Sequence, residues 1–133
     1  MSKCFNNSYV KWWLGIDIRD ILLLNTEIAE MTSEDIYPLI APEGTQGNFI
    51  LYHRIKYNRE YSKMGLYEDI ARVEILAITE SYEDGMELAA LIDATLTGDH
   101  TNDMGNTLSF TLYDSYESFE DNKYVQTLIF EVK

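Results

Sequence analysis

The sequence predicts an α+β fold: two main helices packed as one layer on a mostly antiparallel sheet that admits a mixed pairing, in the order α-β-β-β-α-β-β. Three observations point there. Two segments carry apolar residues at helical spacing, and the remaining apolar runs are short and tend to alternate with polar residues. Successive runs are joined by short links, which favours antiparallel neighbours. The helix between the third and fourth strands leaves room for a crossover.

The first helix is expected from Tyr9 to about Leu24. Val10, Leu14, Ile18, Ile21 and Leu22 share one side, while Lys11, Asp17 and Asp20 are expected to reach water. Gly15 weakens this helix by about 1 kcal/mol relative to Ala, and Asn25 is a natural stop. Trp12 and Trp13 widen the apolar surface and are expected in the core. Asp35–Ile40 reads as a short strand whose Pro38, lacking an N–H, suits an edge. Pro42–Gly47 is a loop with two glycines available for positive φ.

Phe49–Tyr57 alternates as a half-buried strand, with Arg54 and Lys56 on the face opposite His53 and Ile55. Asn58–Glu68 is polar and reads as a long connection. Ile70–Thr79 is the next strand, apolar on both faces in its second half, as a central strand is. Ser81-Tyr82-Glu83-Asp84 then marks a helix start. Leu88, Leu91, Ile92 and Leu96 form that helix's buried stripe, and Gly98 ends it. Asp99–Asn106 is expected to be loop. Thr107–Tyr113 and Lys123–Val132 are strands joined across an acidic connection, Asp114–Asn122.

A chain of 133 residues is expected to form one domain, 1–133, with a single core. Its 23 Asp+Glu against 10 Lys+Arg give a net charge of −13. That balance argues against general nucleic-acid binding, which needs Lys and Arg to neutralise phosphates. A composition that is 46% hydrophobic is too apolar for disorder. One cysteine, Cys4, excludes an internal disulfide framework. The apolar stretch Trp12–Leu24 is broken by Asp17, Arg19 and Asp20, so neither a membrane span nor a signal peptide is expected. Folding in a cytoplasm, without a membrane partner, is the expectation.

The acidity is segregated. Residues 1–63 carry seven Lys/Arg and eight Asp/Glu, whereas 64–133 carry three and fifteen. The basic residues cluster at Arg54, Lys56, Arg59 and Lys63, interleaved with Tyr52, Tyr57 and Tyr61. An acidic half serves solubility. The same asymmetry suits head-to-tail contact between copies, which closes into a ring when the rotation allows. Charge alone does not choose between these readings.

Chemistry is hard to place. There is no Gly-rich phosphate loop, no G-x-S-x-G elbow and no H-E-x-x-H. His53 lies inside a strand and reads as a satisfied structural histidine. His100 sits in an Asp- and Asn-rich run, but counting from Asp99 the sixth and twelfth positions are Met104 and Phe110, not the Gly and Glu of a calcium loop. No catalytic, cofactor-binding or metal-binding residue is nominated, and no cofactor is expected. The tyrosines offer contact area at small entropic cost.

The landmarks Ile36-Tyr37-Pro38, Ala41-Pro42-Glu43-Gly44-Thr45 and Phe49-Ile50-Leu51-Tyr52 leading to Arg54 are followed by Val73-Glu74-Ile75 and Ser81-Tyr82. Leu88-Ala89, Leu96-Thr97-Gly98 and Tyr113-Asp114-Ser115-Tyr116-Glu117 complete the series. From about Trp12 to the C-terminus this order resembles the tail-completion, or tail-terminator, family of long-tailed phages and prophages, whose relatives include the lambda-like minor tail protein U. The long charged Asn58–Glu68 segment and the Trp12-Trp13 pair depart from it. The resemblance implies a non-enzymatic virion tail protein, assembled in the bacterial host cytoplasm. It would form a ring, typically of six copies, that caps the tail tube and joins it to the head. Its partners would be itself, the tail-tube protein and a head-completion protein, with genome DNA passing through the lumen without specific binding. Arg54, Lys56, Tyr57, Arg59 and Tyr61 are the candidate oligomer interface. Other readings are a different neck or baseplate adaptor, or a small-ligand-binding α+β domain or enzyme.

Overall fold

A computed structural model describes residues 11–61 and 67–133, with side chains for 11–58 and 70–133. The elements run α1 (Leu14–Leu24), α2 (Thr26–Thr32), β1 (Ile36–Pro38), β2 (Phe49–Tyr61), β3 (Tyr67–Thr79), α3 (Tyr82–Leu96), β4 (Gly98–Thr101), β5 (Thr107–Glu120) and β6 (Lys123–Val132). The strands form one sheet in the order β1-β2-β3-β6-β5-β4. Among the described strands, β1–β2 is parallel and the other pairs are antiparallel. The expected α+β class with a mixed sheet is what the chain adopts.

The helices share one face of the sheet. Leu14, Ile18 and Leu22 of α1, Ile28 of α2, and Leu88, Ile92 and Leu96 of α3 pack on Ile50, Val73, Ile75, Leu128 and Phe130. Each such side chain removed from water contributes about 1.5–3 kcal/mol before entropy is charged against it. Two glycines let the layers approach. A Cβ on Gly15 would lie 3.3 Å from the Tyr52 ring, and one on Gly85 would lie 2.9 Å from Thr79 Oγ1. Gly15 therefore seats α1 on β2, a role that helix propensity alone does not reveal.

Several boundaries differ from expectation. The first helix is broken by a turn at Trp13, and α1 proper starts at Leu14; Tyr9 and Val10 lie outside the described residues. Lys11 is buried and Asp17 half-buried, not solvated as expected. Trp12 and Trp13, expected in the core, are 61% and 51% exposed. Asn25 does end α1, but its Oδ1 also accepts from the N–H groups of Glu27 and Ile28 and so starts α2, a helix not expected from the sequence.

The polar segments proved to be strands. Most of Asn58–Glu68, expected as a connection, extends β2 to Tyr61 and starts β3 at Tyr67. Gly98–Thr101, placed at a helix end and in a loop, is β4, paired with Thr107–Phe110. The acidic Asp114–Asn122 connection is the second half of β5 and a tight turn. Asp121 and Asn122 have φ of 50° and 65°, both left-handed, as a two-residue hairpin turn between right-twisted strands requires. Pairing across the sheet supplied these polar residues with backbone partners, and their charged side chains stay in water. The Ser81 cap on Asp84 N–H and the Leu88/Ile92/Leu96 stripe match expectation.

Candidate assembly surface

The basic-aromatic segment lies at the far end of the β2–β3 hairpin. The register jumps between Arg54, opposite Val73, and Lys56, opposite Arg72, leaving Ile55 as a bulge 47% exposed. Paired residues share a face, so Arg54 lies on the helix side with Val73 and Lys56 on the open side with Arg72. The expected common face for these two cations is thereby lost, because the extra residue resets the alternation. Arg54 sits 4.1 Å from the Trp12 ring centroid, and Trp12 meets Tyr57 edge-on at 5.6 Å. Stacking on the indole face favours the guanidinium electrostatically and holds it at the strand's edge. Arg59 and Tyr61 belong to β2, opposite Asp69 and Tyr67, while their side chains lie outside the described residues. The structure thus joins Arg54 and Tyr57 around Trp12 and separates Lys56 from them. Cys4 lies outside the described residues.

At the other end of the sheet, β5 runs exposed from Thr111 to Glu120. It carries Asp114, Glu117 and Glu120 together with Tyr113, Tyr116 and Phe119, each of those rings more than half exposed. Glu117 accepts from the Tyr82 hydroxyl at 2.9 Å and from Gln126 Nε2 at 2.8 Å. That bond raises the Tyr82 hydroxyl pKa above its ordinary value. Phe119 packs against Tyr124 at 4.9 Å, and Arg72 lies 3.9 Å above the Tyr113 ring. Of the exposed β5 rings, Tyr113 ends an expected strand, whereas Tyr116 and Phe119 fall in the stretch expected to be a connection.

The histidines are structural. His53 Nε2 lies 2.8 Å from Glu74 Oε1 across the β2–β3 pair. His100 Nε2 donates to the Leu96 carbonyl at 2.8 Å, tying β4 to the end of α3, and its ring meets Phe110. Among the described residues no group of three or more His, Cys, Asp or Glu is placed to hold a metal ion. Among them, too, no helix is long and apolar enough to cross a membrane.

A cleft of about 690 Å³ opens between α1 and the β4–β5 hairpin, lined by Trp13, Ile16, Leu24 and Met104 with Asp17 and Asp20. Burial, and then the charges of Asp20 and Asp103, raise the Asp17 carboxyl pKa, while a hydrogen bond from Asn102 opposes the shift. The cleft brings together carboxylates and apolar side chains, and among the described residues that line it no nucleophile and base are in hydrogen-bond contact.

No protein-family model matches this chain. No curated protein matches it either. Solved structures do match, among them a chain from the virion of a native gene transfer agent (GTA) particle. It is 14% identical, with a TM-score of 0.67 over 86% of this chain and 89% of that chain. At that identity the likeness is one of fold, and it extends over nearly the whole of both chains.

Proposed function

We propose that this chain is a structural component of a phage-like virion, and specifically a tail terminator. Copies oligomerise into a ring, typically of six, that caps the tail tube, stops its growth and supplies the surface that joins the head. The observation that carries this reading is the whole-length fold likeness to a chain of a gene transfer agent virion. It agrees with the landmark order from Ile36 to Glu117 that resembles the tail-terminator family. The protein acts as one domain through shape and charge, without catalysis or a cofactor.

In this reading Arg54, Lys56, Tyr57, Arg59 and Tyr61 belong to the contact between copies. The acidic surface of the neighbour steers association, a contribution that salt weakens. Acids left uncovered in a ring lumen would repel DNA phosphates, letting the genome slide past instead of gripping it. The test is to mix the purified protein with its cognate tail-tube subunit and image the product, and to delete its gene. Rings seated on tube ends, and headless tails of uncontrolled length after deletion, are expected. Tails of normal length joined to heads in the deletion strain would reject the proposal.

A further inference from the structure

We propose that copies join sheet edge to sheet edge, the free half of β2 in one copy pairing antiparallel with the free half of β5 in the next. This rests on the assembly reading above and specifies its contact.

Among the described residues, the sheet leaves half of each edge open. β1 covers β2 only at Ile50–Tyr52, and the Leu39 N–H adds one bond to the Tyr52 carbonyl. Beyond it, no described strand flanks His53–Tyr61 on that side. β4 covers β5 at Thr107–Phe110, and no described strand flanks Thr111–Glu120 on that side. Open edges present unpaired N–H and C=O groups, and monomeric proteins shorten, kink or interrupt them with proline. Here each open stretch is nine or ten residues long and free of proline, and its one bulge, at Ile55 or Tyr113, lies near its start and leaves six or seven regular residues beyond it.

Their charges are opposite. The β5 stretch holds Asp114, Glu117 and Glu120 and no Lys or Arg; the β2 stretch holds Arg54, Lys56 and Arg59 against one acid, Glu60. Two β5 edges repel, as do two β2 edges, while β2 and β5 attract. The contact is therefore head-to-tail, not a two-fold dimer. Tyr116 and Phe119, half-exposed on β5, add apolar area to the same seam.

The strand directions also fit. Through β3 and β6, β2 and β5 run in opposite directions, so a like-oriented neighbour presents β5 antiparallel to β2. The open halves lie at different heights. Tyr57, at the middle of one, is level with Phe110 through Ala71 and Val132. Tyr116, at the middle of the other, is level with Leu51 through Leu76 and Thr127. Bringing these middles together while paired residues keep a common face shifts the neighbour along the strands by about four or six residues, or ~13–20 Å. Over the four strands of one repeat, ~19 Å wide, that stagger inclines the strands by ~35–45° to the axis of a closed ring, the range of closed barrels. β1 and β4 then occupy the spaces below and above the seam.

The test uses two charge-reversed chains, Arg54→Glu/Lys56→Glu and Asp114→Lys/Glu120→Lys, all four positions being exposed. Circular dichroism and melting establish that each folds. By light scattering and native mass spectrometry, each alone loses self-association at least tenfold, and an equal mixture recovers it as alternating copies. A second arm removes Cys4 as Cys4→Ser and pairs Lys56→Cys with either Tyr116→Cys or Ser118→Cys, residues on the same open face. Oxidation yields a ladder of crosslinked copies that neither single cysteine gives. Charge-reversed chains that assemble like the parent, a mixture that does not recover, or no crosslink from either pair would overturn the edge contact. Those results leave tail termination standing wherever the deletion strain still makes headless, uncontrolled tails, so the two failures are separable.

Discussion

The two faces of the sheet are built on different terms. On the helix side, Ile50, Val73, Ile75, Leu128 and Phe130 are fully or nearly fully buried under three helices. On the open side, Phe49, Ile78 and Val125 make a small cluster edged by Ala41, Leu51 and Leu76, and the rest of that face carries His53, Arg72, Glu74 and Glu131. Stability therefore resides mainly on the helix side. One continuous core under the helices holds the fold, and among the described residues the opposite face and the outer halves of β2 and β5 carry no comparable cover.

Truncating one isoleucine on each side of the sheet should separate the two faces most strongly. Ile92→Ala, at a fully buried α3 position, is expected to cost about 3–4 kcal/mol in urea unfolding, whereas Ile78→Ala is expected to cost about 1–2 kcal/mol, because its site can refill with solvent and relax. Equal losses would mean that the open face is a second core. Gly85→Ala probes how tightly the helix layer sits. Ala normally gains about 1 kcal/mol over Gly inside a helix. Here its Cβ would meet Thr79 Oγ1, which is committed to the Ser81 carbonyl at 2.8 Å. A net loss of about 1 kcal/mol is expected, and a rise in Tm would show that the layers can separate without cost.

The smallest effect concerns the half-buried cleft carboxyl. Asp17 holds its proton more tightly in the folded chain than in the unfolded one, because burial and the nearby Asp20 and Asp103 raise its pKa. Its contribution to stability is therefore present below the ordinary carboxylate pKa of about 3.9 and lost as pH climbs through the raised value. Asp17→Asn should stabilise the protein at pH 7 by less than about 1 kcal/mol, with the gain fading in acid. A gain independent of pH would assign the effect to packing instead of charge.

The elements read correctly are those with a local physical signal. Ser81 announces its helix by its own side chain, and Leu88, Ile92 and Leu96 place its buried face by spacing. Pro38 marks an edge because it lacks an N–H. The failures share a different cause. β4 and the second half of β5 are polar strands held by backbone pairing to neighbours far along the chain, which no local pattern reports. The Ile55 bulge separated Arg54 from Lys56 by one unpaired residue, and the alternation of the sequence contains no trace of it. Trp12 and Trp13 look like core residues until Arg54 and the cleft are seen to occupy them.

Composition and spacing alone established the α+β class, the helix-side core stripes, the concentration of basic residues near Arg54 and the acidity of the second half, because charge and periodicity are properties of the chain itself. Tertiary structure decided which strands lie at the edges, how far each stays uncovered and which face each charge occupies, because those depend on register between segments distant in sequence.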